Sequence, residues 1–342
     1  MITSYPLRVV KTIGALAFTL GMLLKLTDAV AAPTVTVMAW GTTWEQGMQS
    51  IADSFTKKTG IKVVPVTQAG SSDGYARLKS MSDAPTIDVW FSTASLASRA
   101  TQDKKLFSDI PDSKLSNVSH LIGGAKAAGW VAAYYYPLSI VYRPSLVKRP
   151  ITAWTDLWDP RFANSLAVPD VETYAGRMLL ISALTHGGDI MHVDPGFAAL
   201  QKLKPNIAMF YGSDSDARRA LAQGDVSVLV GPPSQAKPLV DAGVDVKVIS
   251  PKPAPVMFDV MTLVNTKNKE AALQFIDYVI SAQSQSVITH AMNMGPVNDT
   301  VKADAVLQAE LPAKADQVSF DENVINDHIG AWNDKFKAEI AK

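Results

Sequence analysis

Short runs of β-branched and aromatic residues alternate along this chain with stretches whose apolar positions recur every three or four residues. The first pattern predicts strands and the second amphipathic helices, so their alternation predicts an α/β protein. The predicted strands are 35–39, 61–66, 88–91, 132–136, 138–142, 165–168, 227–230 and 244–249. Between them, residues 46–59 carry Met48, Ile51, Ala52 and Phe55 on one face and stop at Gly60, while residues 270–280 align Ala272, Phe275, Ile276 and Val279 in one stripe. Further helices are expected over 173–184, from about Tyr75, and after the polar run 212–216.

One apolar run belongs to neither class. Residues 12–24 are preceded by Arg8 and Lys11 and followed by Ala29-Val30-Ala31, the layout of an export signal cut after Ala31. A run of about 13 residues is short of the roughly 20 that span a bilayer, and Lys25 interrupts its end. Residues 1–31 are therefore expected to be a signal peptide. The mature protein is expected to be free of stable membrane insertion, in the periplasm.

Charge narrows the function. The 342-residue chain has 32 basic and 32 acidic residues; residues 1–31 hold three of the former and one of the latter, which leaves a mature net charge of about −2. This balance gives no electrostatic basis for binding nucleic acid. There is no cysteine, so an exported fold of this kind is held by its core and has neither a lipid-anchoring cysteine nor a thiolate metal site. About 310 mature residues exceed one comfortable core and suggest two domains.

No Pro/Gly/Ser-rich linker divides the chain, so two domains imply that the chain crosses between them in strands, expected near 136–140 and 259–263. One lobe would comprise 32–137 and 262–310 and the other 138–261, with 311–342 packing as helices on the outside. Ligands of open α/β sheets bind beyond the carboxyl ends of the strands. That rule points to 39–41, Ser92-Thr93, 134–136, 169–172, 231–233 and 257–259 as cleft walls.

Several residues there carry chemistry. Asp170 and Glu172 stand two apart in an extended stretch, which aims both to one side, although acids are equally at home at a helix start. Trp40 and Trp44 follow the first strand as candidate ring faces or as core. Tyr135, within Tyr134-Tyr135-Tyr136, is a candidate wall; a tyrosine metal site is disfavoured because adjacent strand residues face opposite ways. Ser71, Ser72, Ser92, Thr93 and Ser213 lie where an anion would meet free N–H groups, or where serines simply cap helices. His186 and His192, six apart, fit no metal pattern. The chain has no H-E-x-x-H, no P-loop and no cysteine nucleophile, and no cofactor is expected.

The segments Asp53-Ser-Phe-Thr-Lys-Lys-Thr-Gly-Ile-Lys-Val-Val64, Tyr75-Ala-Arg-Leu-Lys79, Trp154-Thr-Asp-Leu-Trp-Asp-Pro160, Gln223-Gly-Asp-Val-Ser227 and Asn268-Lys-Glu-Ala-Ala-Leu-Gln-Phe-Ile-Asp277 resemble, in order, the periplasmic solute-binding proteins of ABC importers, most closely the spermidine/putrescine-binding group. The resemblance implies a two-lobed type II binding-protein fold, two crossover strands, a ligand cleft, a monomer, no catalysis, and delivery to a membrane permease. It also implies an amine chain held between rings and carboxylates: Trp40 falls at a stacking position, and Asp170, Glu172 and Asp259 at or near acidic ones. Three positions depart from that pattern, with Gly231 and Met257 in place of aromatic residues and Ala94 in place of a tyrosine. The expected ligand is a small amine-bearing cation of putrescine or spermidine type. The alternatives are an aminophosphonate, thiamine or an organic acid held by serines and helix starts, and, more distantly, an exported hydrolase.

Overall fold

The computed structural model describes residue 1 and residues 32–341, so the expected signal peptide and its cleavage point lie outside the described residues. Ten strands longer than two residues organise the rest: β1 Thr34–Trp40, β2 Lys62–Gln68, β3 Val89–Thr93, β4 Trp130–Pro137, β5 Ser139–Tyr142, β6 Leu166–Pro169, β7 Ile207–Tyr211, β8 Val228–Gly231, β9 Lys247–Ile249 and β10 Ala254–Val264. The helices that matter for the site are α1 Gln49–Thr59, α2 Ser71–Ser80, α3 Ala94–Ala100, α4 Arg177–Thr185, α5 Asp194–Leu203, α6 Asp214–Gln223, α7 Lys269–Val279, α8 Ala282–Met292 and α9 Glu322–Glu339.

The strands make two sheets, one per lobe. The first runs β2-β1-β3-β10-β4, and the second β9-β5-β8-β6-β7. In the first, β1 pairs in parallel with β2 and β3, while β10 is antiparallel to β3 and β4. All eleven residues of β10 and all eight of β4 are buried, as expected of strands covered on both faces. The second sheet is parallel across β8, β6 and β7 and antiparallel where β5 meets β8 and β9. This is the two-lobed type II binding-protein architecture.

The chain leaves the first sheet at Pro137 and enters the second at Ser139. It returns between Ile249 and Ala254. That return lies earlier than the expected stretch 259–263, which is internal to β10. Residues 254–261 therefore belong to the first lobe. The sequence points to an extended apolar run there, and burial on both faces makes its interior indistinguishable from a crossing.

Local chemistry sets the helix ends. Gly60 closes α1 in the left-handed conformation that glycine tolerates best (φ 75°), with its N–H donating to the Thr56 carbonyl at 2.8 Å. The helix expected over 173–184 begins only at Arg177, because Tyr174, Ala175 and Gly176 all take positive φ (56°, 48° and 74°). Two consecutive non-glycine residues in that region store strain, and they do so against the cleft. Among the described residues no helix is long and apolar enough to cross a membrane.

Candidate ligand cleft

Between the sheets lies a cavity of about 860 Å³, walled by strand ends from both lobes. Asp259 lines it, placed by pairing. In β10 it stands opposite Thr93 of β3 on one side and Tyr134 of β4 on the other. Residues directly opposite in an antiparallel pair share a face, and so do residues two apart. Met257, Asp259, Thr93, Tyr134 and Tyr136 consequently share the face toward the cavity. A bulge between Asp259 and Val260 leaves Ala133 without a partner in the ladder, which sets Tyr134 and Tyr136 around the carboxylate.

The electrostatics follow from that placement. Asp259 is 8 % exposed, and burial raises its pKa from 3.8 to about 7, opposed by hydrogen bonds from Tyr134 and Tyr136. The Tyr136 hydroxyl donates to Oδ1 at 3.2 Å. Burial also holds the Tyr134 and Tyr136 phenols well above their ordinary pKa, so both remain donors. A carboxyl poised near neutrality in a cleft is a group whose ionisation a bound cation would complete.

Four further carboxylates line the cavity: Asp170, Glu172, Asp214 and Glu322; Arg99 and Arg177 are its basic residues. Asp214 is also pushed upward, chiefly by burial, and accepts the Tyr174 hydroxyl. Arg177 is 2 % exposed, bonded to Glu322 and to the Ala175 carbonyl, 3.1 Å away, so its charge is matched within the wall. The cleft is thus acidic on balance.

Trp40, Thr93, Asp170, Glu172, Met257 and Asp259 line the cavity. Asp170 has two roles, since Oδ1 accepts the Thr173 N–H at 2.7 Å as a turn cap. Glu172 meets Asn333 and Lys337 of α9. Four expected residues do not line it. Trp44 is core, 6 % exposed within the irregular turn Trp44–Met48. Ser92 sits opposite Val260, on the face away from Asp259, and is fully buried. Tyr135 is likewise one residue out of phase: it packs edge-on to Phe258, ring centres 6.4 Å apart, and Tyr136 holds the place expected of it. Ser213 caps α6, accepting the Asp216 N–H at 3.4 Å, and only its neighbours Gly212 and Asp214 reach the cavity.

The residues that sequence reasoning missed come mostly from two places. Tyr174 opens the strained turn and Arg177 follows it, where a regular helix was expected. Glu322, Asn326 and Ile329 belong to α9, which was expected on the outside and instead forms part of the wall. Residues 70–74 spell G-x-S-x-G at the start of α2, but among the described residues no histidine lines the cavity to serve Ser72 as a base. His186 packs at a tilt against Trp158, ring centres 4.8 Å apart, and His192 pairs with Asp189; among the described residues no cluster of three or more metal-ligating side chains occurs.

Two α/β lobes around a polar cleft built from strand ends and helix starts define a solute-binding protein. The family model for bacterial extracellular solute-binding proteins matches residues 50–315, and the chain belongs to that family. It is 27% identical over 253 residues to the spermidine/putrescine-binding periplasmic protein of Salmonella typhimurium, covering 67% of this chain and 68% of that one. A gamma-aminobutyric acid-binding protein of Pseudomonas aeruginosa is 23% identical over 206 residues, 57% of this chain and 58% of the relative. The crystal structure of an ABC transporter protein from Clostridium perfringens superposes with a TM-score of 0.76 at 25% identity, over 90% of this chain and 99% of that one. The protein is the solute-binding component of an ABC transporter, in a family of binding proteins and not of enzymes.

Proposed function

We propose that the protein, exported to the periplasm by residues 1–31, captures a small amine-bearing cation of putrescine or spermidine type in this cleft, closes its lobes around it, and delivers it to a membrane permease. The observation that carries the reading is the cleft's charge: five carboxylates face two arginines, and after Glu322 pairs with Arg177 and Glu172 with Lys337, Asp170, Asp214 and Asp259 have no cationic partner but Arg99 in the described lining. Asp259 is the central ammonium partner, since binding a cation returns a buried carboxyl to its ionised form and its tyrosine donors hold it in place. Trp40 offers a ring face, worth roughly 0.5 to 2 kcal/mol to a cation. Asp170, Asp214 and Glu172 extend the acidic wall toward the second lobe, where a distal ammonium would lie. Contacts from both lobes favour the closed form by their differential affinity.

A second reading, an amino acid with its amine and carboxylate at opposite ends, draws on Arg177: this guanidinium lines the cavity with an Nε that has no partner among the described residues. The test is a thermal-shift and calorimetric panel of putrescine, spermidine, gamma-aminobutyric acid, aminophosphonates, thiamine and organic acids on the mature protein. A response to the diamine and polyamine that Asp259→Ala abolishes supports the first reading. Binding of the zwitterion alone, lost in Arg177→Gln, supports the second, and an anion bound equally well by Asp259→Ala overturns the cation reading.

A further inference from the structure

We propose that helix α9 is a closure latch between the lobes, with Asn326 as its positioning residue. The proposal rests on the binding-protein reading above, in which function requires the lobes to open and close. Just before α9, residues Gln317–Val318 pair with Ala254 and Pro255 of β10, in the first lobe. The chain then passes between the lobes a third time, and α9 packs between them, along α3 of the first and on the second. There Phe336 meets Phe210 edge-on at 5.0 Å between ring centres, Lys335 pairs with Asp194 at 2.7 Å, and Glu322 pairs with Arg177. Gly176 is so close to this helix that a Cβ there would come within 3.3 Å of Ile329.

On the first lobe, α9 packs along α3 and makes one polar attachment there. The Asn326 amide donates to the Ser95 carbonyl at 2.7 Å, and the Ser95 hydroxyl donates to Asn326 Oδ1 at 2.8 Å. Both residues line the cavity, and Ser95 lies in the first turn of α3, directly after the strand end that carries Thr93. When the lobes part, α9 stays with the lobe on which it has an aromatic contact, three ion pairs and close packing. The contact with α3, fixed by the pair of hydrogen bonds to Ser95, is the attachment that must break. Closing the cleft remakes it, so its free energy favours the closed form whatever the ligand is. Ala94, small where the resembling family carries a tyrosine, leaves the start of α3 open to this approach.

The test uses the whole mature protein. With no native cysteine, a dye pair at Lys57→Cys on the first lobe and Lys202→Cys on the second reports lobe separation by single-molecule energy transfer. Asn326→Ala should move the ligand-free population toward the longer separation. It should also weaken putrescine binding by roughly five- to ten-fold, the scale of losing two modest hydrogen bonds. Ser95→Ala, which keeps the backbone acceptor, should produce a smaller shift in the same direction, and adding it to Asn326→Ala should change nothing further. An unchanged separation in Asn326→Ala, or effects of the two substitutions that add in full, would overturn the latch. If putrescine fails to bind, the ligand reading falls while the ligand-free separation still decides this one.

Discussion

Replacing Asp259 by asparagine should make the empty protein more stable at neutral and alkaline pH while removing its affinity for cations. Asparagine keeps the size of the side chain and an oxygen that can accept from Tyr136. What it removes is the cost of ionising a buried carboxyl. Asp259 titrates at about 7 in the fold against an ordinary 3.8. Below about pH 4 it is protonated in folded and unfolded chains alike, and the site contributes nothing. Between 4 and 7 the unfolded chain ionises while the folded one keeps its proton, so stability falls as pH rises. Above 7 the loss is complete; the gap between 3.8 and about 7, at 1.36 kcal/mol per pH unit, makes it roughly 4 kcal/mol. The variant's advantage should therefore be largest at pH 8 and shrink by about 1.4 kcal/mol for each unit of pH between 7 and 4. Urea unfolding of parent and variant at pH 5 and pH 8, compared by midpoint at unchanged slope, measures this directly. The reasoning is refuted by a variant that is less stable than the parent at pH 8, or whose advantage is the same at both pH values.

The same titration sets the pH dependence of binding. A bound ammonium favours the carboxylate, so putrescine affinity should fall about tenfold for each pH unit below 7, with proton release that calorimetry in buffers of different ionisation enthalpy would show. Affinity flat from pH 5 to 8 would remove Asp259 from the ammonium site. Tyr136→Phe deletes the 3.2 Å donor to Oδ1 and should move the midpoint of that profile upward while weakening binding about three- to ten-fold; an unmoved midpoint would count against the hydrogen bond. Gly231→Trp, which restores an aromatic residue at a departed position, should destabilise the fold by about 1–3 kcal/mol and gain no affinity. A Cβ there already meets Leu229 at 2.8 Å and the Tyr211 hydroxyl at 3.0 Å. Tighter polyamine binding by that variant would show the space to be available.

Periodicity made eight of the ten strands and helices such as α1 and α7 legible, because each buries a regular stripe or face, whereas β10, buried on both faces, showed only as an extended apolar run near 259–263. The edge strand β7 escaped: all but Tyr211 of its residues are at most partly covered, and Ile207–Tyr211 reads as part of a loop when no partner is known. The cleft was legible where strand ends carry it, at Trp40, Thr93, Asp170, Met257 and Asp259. Phase was not. Tyr135 and Ser92 are each one residue from the cavity face, and only the pairing partner in β10 says which of two neighbours points inward. The strained turn at Tyr174–Gly176 was hidden for another reason. Its sequence has good helical spacing, and the left-handed backbone is imposed by surroundings that bind Tyr174 to Asp214 and Ala175 to Arg177.

The departures from the polyamine-binding pattern are compensated by residues far away in the chain. At Gly231 a ring would be crowded by Leu229 and by Tyr211, whose hydroxyl donates to the Val230 carbonyl at 2.6 Å. At Ala94, the absent ring leaves the start of α3 for Asn326, and α9 brings Glu322 and Ile329 into the cleft beside it. Aromatic walls grip an apolar chain along its length, whereas carboxylates and amides act at points. A cleft that has exchanged rings for Glu322, Asn326 and Asp214 should therefore discriminate by where a ligand's charges sit and less by how long its methylene chain is. Across diamines of increasing length, affinity should pass through a maximum at the spacing that matches Asp259 to the second-lobe carboxylates, and fall on either side. A monotonic rise with each added methylene, at about 0.8 kcal/mol apiece, would instead mean that apolar burial dominates and that the aromatic box has been rebuilt from other residues.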